Sequence, residues 1–378
     1  MSYRYGASYL DPGLNTLAAP SPQYTYNLYA WGYNPNGSLG LGSITNYSSP
    51  KQVGALTNWL SLSTNYSLTL AVKTDGTLWA WGQNTNGALG TGNTTNYSSP
   101  KQVGALTNWL SVGAGAYHSL AVKTDGTLWA WGKNSGGQLG FGNITAYSSP
   151  KQVGALTNWS AVFGNVGASY AIKTDGTLWS WGDNASGCLG FGNTTKYSSP
   201  KQVGALTNWA KLSSWDSTVG AIKTDGTAWV WGYNGSYGQL GLNNLTNYSS
   251  PKQLGALNNW KTISVGLFTM LSVKTDGTLW SWGLNGSGQL GLSNITYTYY
   301  SSPKQVGALT NWSNAVGKLY FSMALKTNGT IWTFGQSTYG QLGLGNTTNY
   351  SSPKQVGSLT TWTTIAPGPS YGSFALNY

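Results

Sequence analysis

Apolar and polar positions alternate along this chain in a short pattern that recurs. In Thr127–Gly132 (TLWAWG), Leu128 and Ala130 fall on one side of an extended backbone and Trp129 and Trp131 on the other, so both faces are apolar. The preceding run Ser119–Thr124 (SLAVKT) is equally rich in apolar residues. Asp125-Gly126 between them is a strong hairpin signal, because both residues tolerate the positive φ that tight turns need. A strand from Trp109 to Val112 comes before this hairpin, and a long Gly/Asn/Ser loop and a short SPKQV strand follow it. One unit therefore reads as a four-stranded meander, and a sheet apolar on both faces must lie between other sheets.

The unit repeats at a step of about 50 residues, a length that fits one propeller blade. Trp31-Gly32, Trp81-Gly82, Trp131-Gly132, Trp181-Gly182, Trp231-Gly232, Trp282-Gly283 and Phe334-Gly335 are seven copies of one strand end. SSPKQ also occurs seven times, whereas KTDGT occurs five times and KTNGT once. The missing hairpin is explained by the ends. Tyr26–Gly32 resembles TLWAWG with no KTDG turn before it, and Ser373–Asn377 resembles SLAVK with no hairpin after it. The expected fold is an all-β, seven-bladed propeller of four-stranded antiparallel blades, closed by pairing of the terminal strands in one shared blade. It spans residues 24–378, after an extended N-terminal tether over 1–23.

Val112–Val122 (VGAGAYHSLAV), continuing as KTDGTLWAWGKNSGGQLGFGN, resembles the signature of the regulator of chromosome condensation repeat family along most of the chain. The resemblance implies the same seven-bladed propeller. It also implies roles ranging from exchange factors for a small GTPase and chromatin docking to enzyme inhibition. Two departures stand out. The histidine that the family sets before SLA is present only as His118, with Leu68, Ala168, Thr218, Thr269 and Phe321 at the other copies. No long insertion corresponds to the wedge of the exchange factors.

Composition removes most catalytic vocabulary: there is no Glu, one Arg, one Cys (Cys188) and one His (His118). Outside the hairpin turns the only acids are Asp11, Asp183 and Asp216, so no acid/base carboxylate pair is expected. No spacing suggests a metal or phosphate site, and no catalytic residue, metal or cofactor is expected. The net charge of +11 comes mainly from the seven lysines of SSPKQ, since five hairpin aspartates offset the six hairpin lysines. A lysine after a proline on an outer strand reads as protection of a sheet edge, which disfavours a nucleic-acid partner. No apolar run is long enough for an export signal or a membrane span.

The copies disagree in one stretch, between the NW pair and AVKTDG: STNYSLT, GAGAYHS, FGNVGAS, SSWDSTV, VGLFTML and GKLYFS. These segments are expected on one face near the ring centre. Of the 20 tryptophans, Trp215 alone falls outside the repeating positions. Together with Tyr66, Tyr117, His118, Asp216, Phe268, Tyr320, Phe321 and Tyr371 it is a candidate partner contact, the competing role being a plug of the central channel. The residues after each WG (Tyr33, Gln83, Lys133, Asp183, Tyr233, Leu284 and Gln336) are expected to form an exposed rim.

The leading functional expectation is a non-enzymatic binding or structural propeller. Its polar, charge-poor composition suggests the surface of a virion or other particle, with a cytoplasmic location otherwise. Its partners would be a protein or particle scaffold, with a cell-surface receptor or glycan as further classes. The alternatives are a regulatory protein-binding propeller, by family analogy, and an enzyme inhibitor.

Overall fold

The computed structural model describes residues 26–295, 298–368 and 371–378. The tether expected over Met1–Gln23 lies outside the described residues. Seven four-stranded antiparallel sheets form the blades. Blade 2 is typical: Trp59–Asn65, Leu68–Lys73, Leu78–Gly82 and Tyr97–Gln102, in that order across the sheet. Trp59–Asn65 packs on its counterparts Trp109–Ala114 of blade 3 and Trp362–Pro367 of blade 1, so these strands line the axis and the SSPKQ strands form the circumference.

Blade 1 closes the ring as the repeat count requires. Asn27–Gly32 pairs antiparallel with Gly372–Asn377 from Asn27↔Asn377 to Gly32↔Gly372, between Tyr47–Gln52 on the outside and Trp362–Pro367 on the inside. The two-faced apolar reading also holds. Leu128, Ala130 and Trp131 are fully buried between blades and Trp129 is partly buried. No helix of the described residues is long and apolar enough to cross a membrane.

The hairpin turn is built differently from the expectation. Gly126 alone takes the left-handed conformation (φ 78°), where a Cβ would collide with the Thr157 carbonyl, and Asp125 does not. Gly126 donates to the Lys123 carbonyl at 2.9 Å and Lys123 to that of Thr127 at 3.1 Å, a tight turn followed by a glycine bulge. The aspartate acts through its side chain. Asp125 Oδ1 accepts from the Thr127 amide at 3.0 Å and hydroxyl at 2.7 Å, and the Thr127 hydroxyl accepts from Trp129 Nε1 at 2.9 Å. Asn328, Thr330 and Trp332 repeat this chain in the KTNGT copy.

The hairpin lysines are held by rings as much as by the aspartates. Lys123 Nζ sits 3.8 Å from the Trp129 ring centre and 4.9 Å from that of Trp109, and burial lowers its pKa. Lys73 does form an ion pair with Asp75, at 3.8 Å.

The tryptophan before each WG glycine rivets neighbouring blades. Trp131 Nε1 donates to the Ala88 carbonyl of the preceding blade at 2.8 Å, and Trp31, Trp81, Trp181, Trp231 and Trp282 make the same bond to their own neighbours. Phe334, lacking an N–H, leaves the Gln289 carbonyl to the Ser322 hydroxyl alone.

Candidate interaction face

Both variable sets of the sequence meet on one face. The residue after each WG donates its backbone N–H to the carbonyl at the tip of the inner hairpin of its own blade: Tyr33 to Tyr371, Gln83 to Ser67, Lys133 to Tyr117, Asp183 to Gly167, Tyr233 to Ser217, Leu284 to Phe268 and Gln336 to Tyr320, at 2.8–3.2 Å. The glycine makes this approach possible: Gly132 has φ 100°, and a Cβ there would press on the Tyr117 carbonyl. The KTDG turns and the ALTNW segments share the opposite face, where Thr124 N–H donates to the Asn108 carbonyl at 2.9 Å. One face therefore varies from blade to blade and the other is nearly constant.

The rim is less open than expected. Tyr33, Gln83, Lys133, Asp183, Tyr233 and Gln336 are half-buried and Leu284 is buried, because the hairpin bond draws each of them toward the ring centre.

At the centre of this face, contacts run between blades that are not neighbours. Tyr66 of blade 2 lies parallel to Trp215 of blade 5, with ring centres 6.3 Å apart and planes within 2°. Lys318 of blade 7 places Nζ 3.9 Å from the centre of the Trp215 ring. Residues two and three blades apart can meet only near the axis, so this group lies at the centre of the face. Trp215 is 3% exposed and Lys318 2%, whereas Tyr66 is 43% exposed. Burial pushes the Lys318 pKa well below its ordinary value.

The other predicted contacts divide between interior and surface. His118 is buried, and Phe321 packs in the core with Trp31 and Leu325. His118 Nε2 lies 2.9 Å from Ser169 Oγ, whose hydroxyl donates to the Gln138 carbonyl at 2.7 Å. The serine therefore accepts, and Nε2 carries the imidazole proton. Burial holds the His118 pKa down to about 3, so the ring is neutral. Tyr117 is half-buried, 5.8 Å from the Tyr66 ring, with Lys133 Nζ 5.3 Å above it. Asp216 turns the chain at φ 48°, and desolvation together with the charge of Asp183 raises its pKa. Phe268 packs on Tyr237 at 4.9 Å.

Tyr320 and Tyr371 belong to the largest aromatic group of the face. Tyr371 lies 5.3 Å from Tyr339, 6.2 Å from Tyr33 and 6.4 Å from Tyr320, and Tyr33 and Tyr339 are 4.4 Å apart. Tyr339 and Tyr237 are absent from the sequence-predicted set, although both stand in the loops after WG, where other copies hold Gly, Ser or Asn.

The arrangement offers shape and aromatic surface more than chemistry. Among the described residues no three His, Cys, Asp or Glu groups gather as a metal site. The Cys188 thiol is buried and raised to about 12, chiefly by desolvation, which leaves it protonated and inert as a nucleophile.

Seven stretches match the regulator of chromosome condensation (RCC1) repeat: residues 27–72, 75–122, 125–167, 175–214, 225–270, 276–325 and 328–375. Among curated proteins the chain is similar to the RCC2 homologue of Danio rerio, 40% identical over 82 residues, which is 21% of this chain and 16% of that protein. It is also similar to the ultraviolet-B receptor UVR8 of Arabidopsis thaliana, 29% identical over 122 residues, 30% of this chain and 26% of that one. These matches span at most about a quarter of the relatives' length. In overall fold the chain is similar to yeast RCC1 (Prp20) as bound to Kap60, with a TM-score of 0.84, 19% identity and coverage of 100% of this chain and 94% of that one. Human WBSCR16 gives a TM-score of 0.83 at 20% identity, covering 94% and 99%.

Proposed function

The chain belongs to the regulator of chromosome condensation (RCC1) repeat family, and on that premise we propose that it is a non-catalytic propeller that regulates or assembles a protein partner through its hairpin face. The observation that carries this reading is the convergence of both variable loop sets on one face, each blade joining them by the same backbone bond. A scaffold that holds its blades constant and varies one surface is suited to recognition, and half-exposed tyrosines are favoured contact residues because they bury much area with few torsions. The contact surface is assigned to Tyr66, Tyr117, Asp216, Phe268, Tyr320 and Tyr371, joined by Tyr33, Tyr339 and Tyr237. Trp215, His118 and Phe321 support it from inside.

The expected particle-surface location draws no support from the relatives, whose names are RCC2, an E3 ubiquitin-protein ligase and an ultraviolet-B receptor. A regulatory protein-binding role accords better with them. The test is affinity capture from the native source with the full chain, a Tyr33→Ala/Tyr371→Ala variant and a Leu156→Ala/Leu206→Ala variant of the opposite face. The proposal requires partner loss in the tyrosine variant alone. Undiminished capture by that variant overturns it, and accelerated nucleotide release from a captured small GTPase would specify the activity.

A further inference from the structure

The loop after the third strand of each blade reads LGxGN or a close variant, and x is Leu41, Thr91, Phe141, Phe191, Leu242, Leu292 and Leu344 around the ring. Six copies supply a large apolar side chain and blade 2 supplies a threonine. In the other blades this side chain joins the core at the outer end of a blade interface. Phe141 does so with Tyr147 and Trp179, Phe191 with Tyr197 and Trp229, and Leu41 with Tyr47 and Trp79. The tyrosine comes from the outer strand of the same blade, the tryptophan from the third strand of the next. Tyr97 and Trp129 occupy these places between blades 2 and 3, without an apolar side chain from position 91.

A cavity of about 540 Å³ lies at that interface, lined among others by Thr91, Tyr97, Lys101, Leu106, Trp109 and Trp129. The Thr91 hydroxyl is engaged by its own loop, accepting from Asn84 Nδ2 at 3.3 Å and donating to Asn93 Oδ1 at 3.1 Å. In the two phenylalanine blades the outer lysine leans over the filling ring. Lys151 Nζ is 5.5 Å from the Phe141 centre and Lys201 Nζ is 5.0 Å from that of Phe191, each also about 4 Å from its tyrosine ring. Lys101 instead stands 5.9 Å off the Tyr97 ring. Trp109 Nε1 is buried without a hydrogen-bond partner, while Trp59 Nε1 donates to the Leu56 carbonyl at 3.0 Å. Five sister tryptophans share that lack, so the distinguishing feature here is the room beside Trp109.

We propose that this outer cavity between blades 2 and 3 receives a phenylalanine side chain carried by a peptide segment of a partner protein. The ring takes the place that Phe141 and Phe191 fill in blades 3 and 4, whose GFGN loops differ from GTGN of blade 2 in this residue alone, as does GLGN of blade 7 with Leu344. The edge of Tyr97 packs against it as Tyr147 packs on Phe141, at 5.3 Å between centres. The volume exceeds that of a benzyl group and falls within the range of ligand pockets, about 300–1,000 Å³, which leaves room for the peptide backbone. Lys101 supplies a donor to its carbonyls or to a neighbouring carboxylate. The site lies on the circumference and does not rest on the hairpin-face reading.

The test is ¹⁹F NMR titration of N-acetyl-4-fluoro-L-phenylalaninamide with the full chain and with Thr91→Phe, Thr91→Leu and Thr91→Ser. Saturable line broadening is expected with the wild type and Thr91→Ser, at least tenfold weaker with Thr91→Phe and Thr91→Leu, whose melting temperatures should equal or exceed the wild type's. Equal broadening by a plugged and folded variant places binding elsewhere and overturns the proposal, as does absence of saturable binding by the wild type. Binding of toluene without binding of the amide overturns it in favour of a hydrocarbon cavity.

Discussion

Lys318 Nζ lies 3.9 Å from the centre of the Trp215 ring, although the two residues belong to blades two places apart. A cation over a desolvated indole gains about 2 kcal/mol, yet an ammonium buried without a carboxylate loses more hydration than that. Burial accordingly lowers the lysine's pKa in the folded chain. Between that lowered value and the ordinary 10.5 the unfolded chain binds more protons, so stability rises with pH across this window and the deficit is constant below it. Lys318→Met should raise stability at neutral pH and flatten the alkaline rise, as read from urea melts at pH 7 and pH 10. The hairpin lysines shift in the same direction and will leave a residual slope.

Trp215→Ala should act as the loss of a core residue. It removes the buried ring that meets both Tyr66 and Lys318 and should cost about 3–5 kcal/mol in denaturant unfolding. If Trp215 is instead a surface anchor, the variant will keep its stability and lose its partner.

His118 makes the fold sensitive to acid. Its folded pKa of about 3 lies below the unfolded 6.5, so its neutral form contributes stability in full above pH 6.5. That contribution is lost as pH falls toward 3, at roughly 1.4 kcal/mol per pH unit at the steepest. His118→Gln retains an N–H for Ser169 and should remove this slope. Chemical denaturation between pH 4 and 7 provides the comparison.

The inter-blade rivet can be removed or added. Trp131→Phe loses one hydrogen bond while the Ala88 carbonyl keeps the Ser119 hydroxyl, so it should cost about 1 kcal/mol against about 3–5 for Trp131→Ala. Phe334→Trp should supply the bond to Gln289 that this copy lacks and raise the melting temperature by about one degree.

The Asp125–Thr127–Trp129 chain needs an acceptor more than a charge, since Asn328 serves in the same place. Asp125→Asn should be nearly neutral and Asp125→Ala should cost about 1 kcal/mol. Hydrogen bonds from Thr127 lower the Asp125 pKa, so the aspartate's contribution is complete above pH 3.8 and fades as pH falls through the lowered value. Thermal melts at pH 7 and pH 3 should show the alanine penalty shrinking in acid.

Blade number and strand order were legible because each depends on residues close in sequence, a hairpin and a two-faced apolar strand, and ring closure was legible because the repeat is cut at both ends into halves that complete one another. The variable face was legible too, from the disagreement of copies within one chain. Lys318 drew no notice in the sequence, where GKLYFS gives no sign that its lysine reaches the axis. Trp215 stood out as unscheduled, but its sequence neighbours could not show that Tyr66 and Lys318 would enclose it. Tyr339 and Tyr237 looked like ordinary loop residues until folding brought them beside Tyr371 and Phe268.

The sequence by itself determined the blade, since alternation, turn chemistry and repetition are local properties that every copy states again. Only the tertiary structure decided which variable residues are interior and which are surface. Closing seven blades on one axis brings together side chains separated by 100 residues or more, as with Lys318 and Trp215. The depth of each depends on how many neighbours reach the axis with it, a sum over the whole ring that no single repeat contains.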